Sequence, residues 1–329
     1  MTVIDELDRA ALAPLGGTRL LLEVDTDGRR LLDWAAEQRD QIEALLQDNG
    51  ALLLRGLNIH SSKQFGDVLA LLFGAPLLDY SYRSTPRTEL RGNVYTATEY
   101  HADQTIPQHN EHAYASSWPL RIGFLCMQPS EQGGATPIGD SRLVYSMIPA
   151  AVREKFERLG VMYVRNYSDL DLPWTEVFQT ADRAEVERYC DDNGIDYTWL
   201  ADNGLRTRQV NPATATHPVS GAPLWFNQAH LFHVSSLEPA VRDSLISVLG
   251  EEGLPRNTYY GDGSPIEPEV LALIRDIYER TKVCFQWRQG DLLLLDNMLY
   301  THGRQPYVGE RKVLVGMARP HGHGPAHAT

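Results

Sequence analysis

The chain has 329 residues, of which 43% are hydrophobic and 22% charged, with a net charge of −13. It is long enough to bury a substantial core, and its balance predicts a soluble globular protein. No basic run interrupts the acidity, which argues against a nucleic-acid binder. The longest apolar run, Val68–Leu78, is broken by Gly74 and Pro76 and is too short for a membrane span. The acidic Met1–Ala10 opening lacks the features of a signal peptide. Cys126, Cys190 and Cys284 stand far apart in no paired motif, so buried thiols and a cytoplasmic location are expected.

In chain order, residues 1–20 read as an irregular lead-in with Pro14 and Gly16-Gly17. Leu31–Asp48 has helical periodicity and stops at Asn49-Gly50. Ala51–Leu54 reads as a buried strand, and Ser61 or Ser62 caps a second helix running to about Phe73. From Asn93 the texture changes to short β-rich segments between Gly, Pro and Asp turns: Asn93–Thr98, Gln108–Ala113, Arg121–Gln128 and the Gly133-Gly134-Ala135-Thr136-Pro137 turn. Helices are predicted over Asp140–Gly160, Asp182–Asn193, Pro239–Gly250 and Pro265–Thr281, with extended chain at Arg208–Thr214 and Leu224–Val234. Asp291–Asp296 and Lys312–Met317 are apolar strands flanking a turn.

The fold expected is mainly β with helical additions. An N-terminal α/β flank (1–90) precedes a β core (91–140 and 283–320), and 141–282 is an insertion with helices and further strands within a single domain. The tail with His321, His323 and His327 is Gly- and Pro-rich and reads as bland.

One stretch carries chemistry. In Gln108-His109-Asn110-Glu111-His112, an extended strand would put His109 and Glu111 on one face. An imidazole and a carboxylate are two thirds of the facial triad that binds non-haem Fe(II). Alone, His-x-Glu is a common accident. His302, after an apolar strand, could supply the third ligand or could be a surface-turn histidine. Thr136 could hydrogen-bond an anion or merely turn the chain. Arg311, nine residues after His302, could grip a carboxylate in a fork or be a solvated charge.

Together, His109-x-Glu111, Gly-Gly-x-Thr136-Pro, His302-Gly-Arg and the later arginine resemble the taurine dioxygenase-like (TauD/TfdA) family over about Leu20 to Arg319. The segments Thr98–Ile106, Trp225–His233 and Tyr259–Gly263 resemble the branch represented by the syringomycin aspartyl hydroxylase. The resemblance implies a double-stranded β-helix (jelly roll), Fe(II), 2-oxoglutarate as cosubstrate and O2. It implies His109, Glu111 and His302 as metal ligands and catalytic centre, and Thr136 and Arg311 at the distal carboxylate of 2-oxoglutarate, with Lys312 the competitor for that place. A second arginine four residues on, which many relatives use for an anionic substrate, is Val315 here. Alternation puts Arg311, Val313, Val315, Met317 and Arg319 on one strand face.

The implied reaction is hydroxylation of an unactivated C–H bond in an amino acid or derivative, free or on a peptidyl carrier protein, in natural-product biosynthesis. An intact Glu111 speaks against halogenation. Desaturation or cyclisation, and a non-redox metal enzyme on the same barrel, are the alternatives. Substrate contacts are expected from Asn227, His230, Asn93 and Arg208, with a hydrogen-bonded core network as the bland alternative. His112 is expected to point away from Glu111 and pack, and Asn166–Trp174 is the candidate loop over the site.

Overall fold

A computed structural model describes residues 21–322 except 80, 81, 83, 86, 99 and 169. The lead-in over 1–20 and the tail positions His323 and His327 lie outside the described residues.

The run Leu52-Leu53-Leu54 explains the first layer. Its strand, Ala51–Arg55, lies in a six-stranded sheet ordered Leu21–Glu23, Ala51–Arg55, Leu292–Asp296, Ser117–Gln128, Lys312–Gly322 and Val94–Thr96, parallel only at the first pair. A continuous apolar strand suits a sheet covered on both faces. Leu52, Leu54, Leu292, Leu294 and Leu314 pack on one face with Trp34, Ile42 and Leu46 of helix Leu31–Asn49 and Phe65, Leu69 and Phe73 of helix Ser62–Phe73. Their neighbours Leu53, Leu293, Leu295, Ile122, Phe124 and Val315 point into a second core.

The opposite wall of that second core is a four-stranded antiparallel sheet: Lys282–Val283, Ile138–Asp140, Tyr300–Arg304 and Ile106–His109. Ile138, Val283 and Tyr300 meet the six-stranded sheet's residues there. A third sheet (Arg256–Tyr260, Val161–Tyr167, Leu205–Asn211, Asp196–Trp199) packs with helices Ala150–Leu159, Arg183–Asp192 and Pro268–Thr281 around a separate core.

Both N-terminal helices end and begin as their sequences predict. Gly50 adopts φ 75°, and a Cβ there would sit 2.7 Å from the Tyr300 ring. Ser61 accepts the Gln64 N–H at the second helix's start.

Several expectations change. The helix predicted over Asp140–Gly160 is two, Ser141–Met147 and Ala150–Leu159, because Pro149 cannot continue the first. Leu224–Val234 is not extended throughout: after the strand Pro223–Trp225 the chain turns into helix Ala229–Phe232. The Asn166–Trp174 segment is anchored, with Asp171 paired to Arg256 and the Trp174 indole donating to the Asn203 carbonyl. Cys126 and Cys190 are buried as expected, but Cys284 is exposed. No described helix is long and apolar enough to cross a membrane.

Candidate metal centre

His302 lies not in a turn but on the strand Tyr300–Arg304, paired directly across from His109 on Ile106–His109. Two imidazoles far apart in the chain thereby face one point, their ring centroids 4.6 Å apart. Gly303 permits this: a Cβ there would come within 2.6 Å of the Ile106 carbonyl oxygen, at the place where the strand register shifts.

Glu111 reaches the same point by a different route from the one alternation predicted. The strand ends at His109, and Glu111 lies in the turn that follows, in which Ala113 N donates to the Asn110 carbonyl and His112 takes φ 58°. The turn is bolted in place: Asn297 Oδ1 accepts the Glu111 N–H at 2.7 Å, and Asn297 Nδ2 donates to the Glu111 carbonyl at 2.9 Å. Glu111 Oε2 then stands 3.5 Å from His302 Nε2 and 4.0 Å from His109 Nε2, with all three ligand atoms within 4.8 Å of one another. His112 is corrected too. It does not point away, since its Nε2 lies 3.9 Å from Glu111 Oε1.

The donor set fits a divalent cation. His109 Nδ1 meets the Pro107 carbonyl at 2.8 Å. A carbonyl only accepts, so Nδ1 carries the hydrogen and the Nε2 lone pair faces the cluster. Burial, then the neighbouring His302, lowers the His109 pKa to about 4, which keeps the ring neutral. Burial alone would raise the Glu111 carboxyl, but Arg87, followed by His302, holds it well below the usual carboxylate range. The Phe124 ring closes one side, 4.9 Å from that of His302.

Thr136 and Arg311 meet as well. Arg311 Nη2 is 3.4 Å from Thr136 Oγ1, its Nε donates to the Gly134 carbonyl at 3.0 Å, and Trp287 Nε1 donates to Thr136 Oγ1 at 3.0 Å. Burial, then Arg304, brings the Arg311 pKa down to about 10, so it remains a cation at neutral pH. Lys312 faces solvent. Val313, Val315 and Met317 follow Arg311 into the core, but Arg319 breaks the alternation: at φ 58° it turns to Glu43 and the Phe73 carbonyl.

The four substrate candidates separate. His230 borders the cluster, its Nε2 3.0 Å from the Gln108 carbonyl, with burial lowering its pKa to about 3. Asn227 is locked between the Ala213 carbonyl and the Ala229 N–H, as a core network would have it. Asn93 donates to the Leu77 carbonyl, and Arg208 is half exposed opposite Glu252. None of these three has a described hydrogen bond to the triad. Sequence reasoning missed Arg87, whose Nη2 donates to Glu111 Oε2 at 2.8 Å, and Asn297. Asn297 left a trace in the Asp-Asn turn five residues before His302; Arg87 left none.

A sequence profile of the taurine catabolism dioxygenase TauD, TfdA family matches residues 10–318. The chain belongs to this family. Membership makes it a 2-oxoglutarate-dependent dioxygenase using Fe(II), 2-oxoglutarate and O2, and removes the non-redox alternative. Among its relatives, the dapdiamide synthesis protein DdaC of Enterobacter agglomerans is 42% identical over 280 residues, 85% of each chain. A clavaminate synthase-like protein of Arabidopsis thaliana is 31% identical over 293 residues, 86% of this chain and 85% of that one. Among solved structures, PvcB, described as an Fe, alpha-ketoglutarate-dependent oxygenase from an isonitrile synthetic pathway, aligns with TM-score 0.52 at 17% identity, covering 92% of this chain and 88% of its own. At that identity the likeness speaks for the fold.

Proposed function

We propose that this oxygenase hydroxylates an unactivated C–H bond of an amino acid or amino-acid-derived substrate in natural-product biosynthesis, with His109, Glu111 and His302 holding the iron. The observation that carries the reading is the convergence of two imidazole nitrogens and one carboxylate oxygen within 4.8 Å, from a strand end, the turn that follows it and a distant strand. One carboxylate and two imidazoles leave coordination positions for a chelating keto acid and for dioxygen. Bound there, the metal supplies the chemistry that couples oxidative decarboxylation of 2-oxoglutarate, to succinate and CO2, with oxidation of the substrate.

The chain's own residues do the positioning. Thr136 and Arg311 receive the distal carboxylate, Trp287 orients the Thr136 hydroxyl by donating to it, and Phe124 keeps water from the His302 side. His109 and His302, opposite each other on paired strands, and Glu111, clamped by Asn297, set the ligand geometry before the metal arrives. The two layers around the second core suit the double-stranded β-helix expected from the sequence, with 141–282 as an insertion within one domain.

The substrate class rests on the relative tied by name to dapdiamide synthesis, which is 42% identical. Delivery on a peptidyl carrier protein belongs to the same proposal and needs a local docking surface, because the net charge of −13 gives no general attraction to an acidic carrier. The deciding experiment is anaerobic titration with Fe(II) and 2-oxoglutarate, followed by oxygen. A weak visible charge-transfer band that decays with succinate formation supports the assignment, and amino acids, free and carrier-tethered, are then screened for accelerated decay. A folded protein that forms no band would overturn it.

A further inference from the structure

The strand that carries His302 ends on a guanidinium with a different task. Arg304 is buried, and it donates to three carbonyls of one connection: Nη1 to Tyr100 at 2.9 Å, and Nη2 to His101 and, at 2.9 Å, to Gln104. The Tyr307 N–H donates to a fourth, that of Ala102, at 2.9 Å. This connection joins Val94–Thr96, an edge strand of the six-stranded sheet, to Ile106–His109, an edge strand of the four-stranded one, and so bridges the two layers. Tyr100 to Thr105 are exposed. The stretch is therefore held through its backbone, and local opening costs little beyond these bonds. The other side of the same 304–308 segment meets the cosubstrate anchor. Gln305 N donates to the Ala135 carbonyl and Gly134 N to the Pro306 carbonyl, which fixes the segment beside the turn that bears Thr136. The Tyr307 ring lies against two guanidiniums, its centroid 5.1 Å from Arg304 Cζ and 5.7 Å from Arg311 Cζ. Two like charges share one ring, and each makes the other's place costlier.

We propose that Arg304 is a positioning residue that latches 100–105 down as a strap beside the cosubstrate, and that 2-oxoglutarate on Arg311 tightens the latch. The inference rests on Arg311 and Thr136 receiving the distal carboxylate. That carboxylate offsets the charge of Arg311, so Arg304 holds its own buried charge against the three carbonyls at less electrostatic cost. The coupling is reciprocal: if the bound cosubstrate steadies the strap, a latched strap strengthens cosubstrate binding by the same factor. The strap thereby closes on the cosubstrate-loaded enzyme in preference to the empty one.

The test uses protein loaded anaerobically with Fe(II), alone, with 2-oxoglutarate, or with pyruvate, which has the keto-acid end and no distal carboxylate. Amide hydrogen exchange over 100–105 reads the strap, and the charge-transfer band reads keto-acid affinity. In wild type, 2-oxoglutarate is expected to slow exchange over 100–105 about fivefold or more, and pyruvate to leave it unchanged. Arg304→Gln is expected to exchange fast in all three states and to weaken 2-oxoglutarate about fivefold or more, while pyruvate and Mn(II) affinities stay within about twofold. Arg311→Gln is expected to lose the slowing that 2-oxoglutarate causes. A wild type whose band forms while exchange over 100–105 does not respond overturns the latch alone, and this arm decides even if Arg304→Gln fails to fold. An Arg304→Gln that weakens both keto acids and Mn(II) alike also overturns it, since Arg304 would then only support the strand of His302. A wild type that forms no band with either keto acid fails the oxygenase reading itself, and the proposal with it.

Discussion

The side-chain amide of Asn297 grips Glu111 on both sides of its backbone, accepting from its N–H at 2.7 Å and donating to its carbonyl at 2.9 Å. A third bond, from Nδ2 to the Pro119 carbonyl at 2.9 Å, ties the pair to the long strand Ser117–Gln128. Asn297 also opens the turn that leads to His302, so one amide sets the spacing of two proposed ligands. Asn297→Ala is expected to lower metal affinity about 10–100-fold, the usual effect of losing a group that orients a ligand. Mn(II) titration of the folded variant checks this, and an unchanged affinity would remove Asn297 from the site's architecture.

His109→Ala is expected to abolish Fe(II)-dependent decarboxylation of 2-oxoglutarate with the circular dichroism spectrum unchanged. The side chain is a partly exposed strand end rather than a core filler. Full activity in this variant would sink its assignment as a ligand.

Arg311→Gln is expected to raise the KM for 2-oxoglutarate roughly 10- to 100-fold, the range set by a hydrogen bond to a charged group. Lys312→Gln, on the solvent face, should leave it unchanged. Initial-rate kinetics on the two variants separate the adjacent residues, and the opposite ranking would move the anchor to Lys312.

Gly303→Ala tests the strand approach. Its new methyl would meet the Ile106 carbonyl oxygen at 2.6 Å and Gln108 N at 3.2 Å, both backbone atoms that cannot swing aside. A loss of about 1–3 kcal/mol is expected, as for overpacking elsewhere, together with weakened metal binding because His302 and His109 would be pushed apart. Thermal unfolding with and without Mn(II) measures both.

Acid should destabilise the protein prepared without metal before it protonates the carboxylates. Burial lowers His109 and His112 to about 4 and His230 to about 3, against 6.5 when unfolded. Between pH 6.5 and 4 the unfolded chain binds protons that the folded one refuses, so stability falls as pH falls through that window. A melting temperature measured from pH 7.5 down to 4.5 should decline below about 6.5; a flat profile would show that these rings are not held neutral.

Local signals read correctly where local physics decides. The Ser61 cap, the Gly50 stop and the doubly covered leucine strands follow from backbone sterics and apolar periodicity. Leu224–Val234 and Asp140–Gly160 were misjudged because short apolar runs do not distinguish strand from helix, and because Pro149 divides an otherwise helical pattern. The surface-turn alternative for His302 falls because pairing with Ile106–His109 makes Tyr300–Arg304 a strand, and that pairing leaves no local mark in Thr301-His302-Gly303.

What the sequence by itself determined is the chemical inventory: two histidines, a carboxylate, a threonine and an arginine in an order that marks the family. The tertiary structure decided how they meet. Glu111 enters the cluster through a turn held by Asn297, not by strand alternation, and Arg87 arrives from a connection with no motif at all. The reason is range. Periodicity and caps act over a few residues and leave their mark in composition, whereas a buried charge pair or an amide clamp joins residues that only long-range strand pairing brings together.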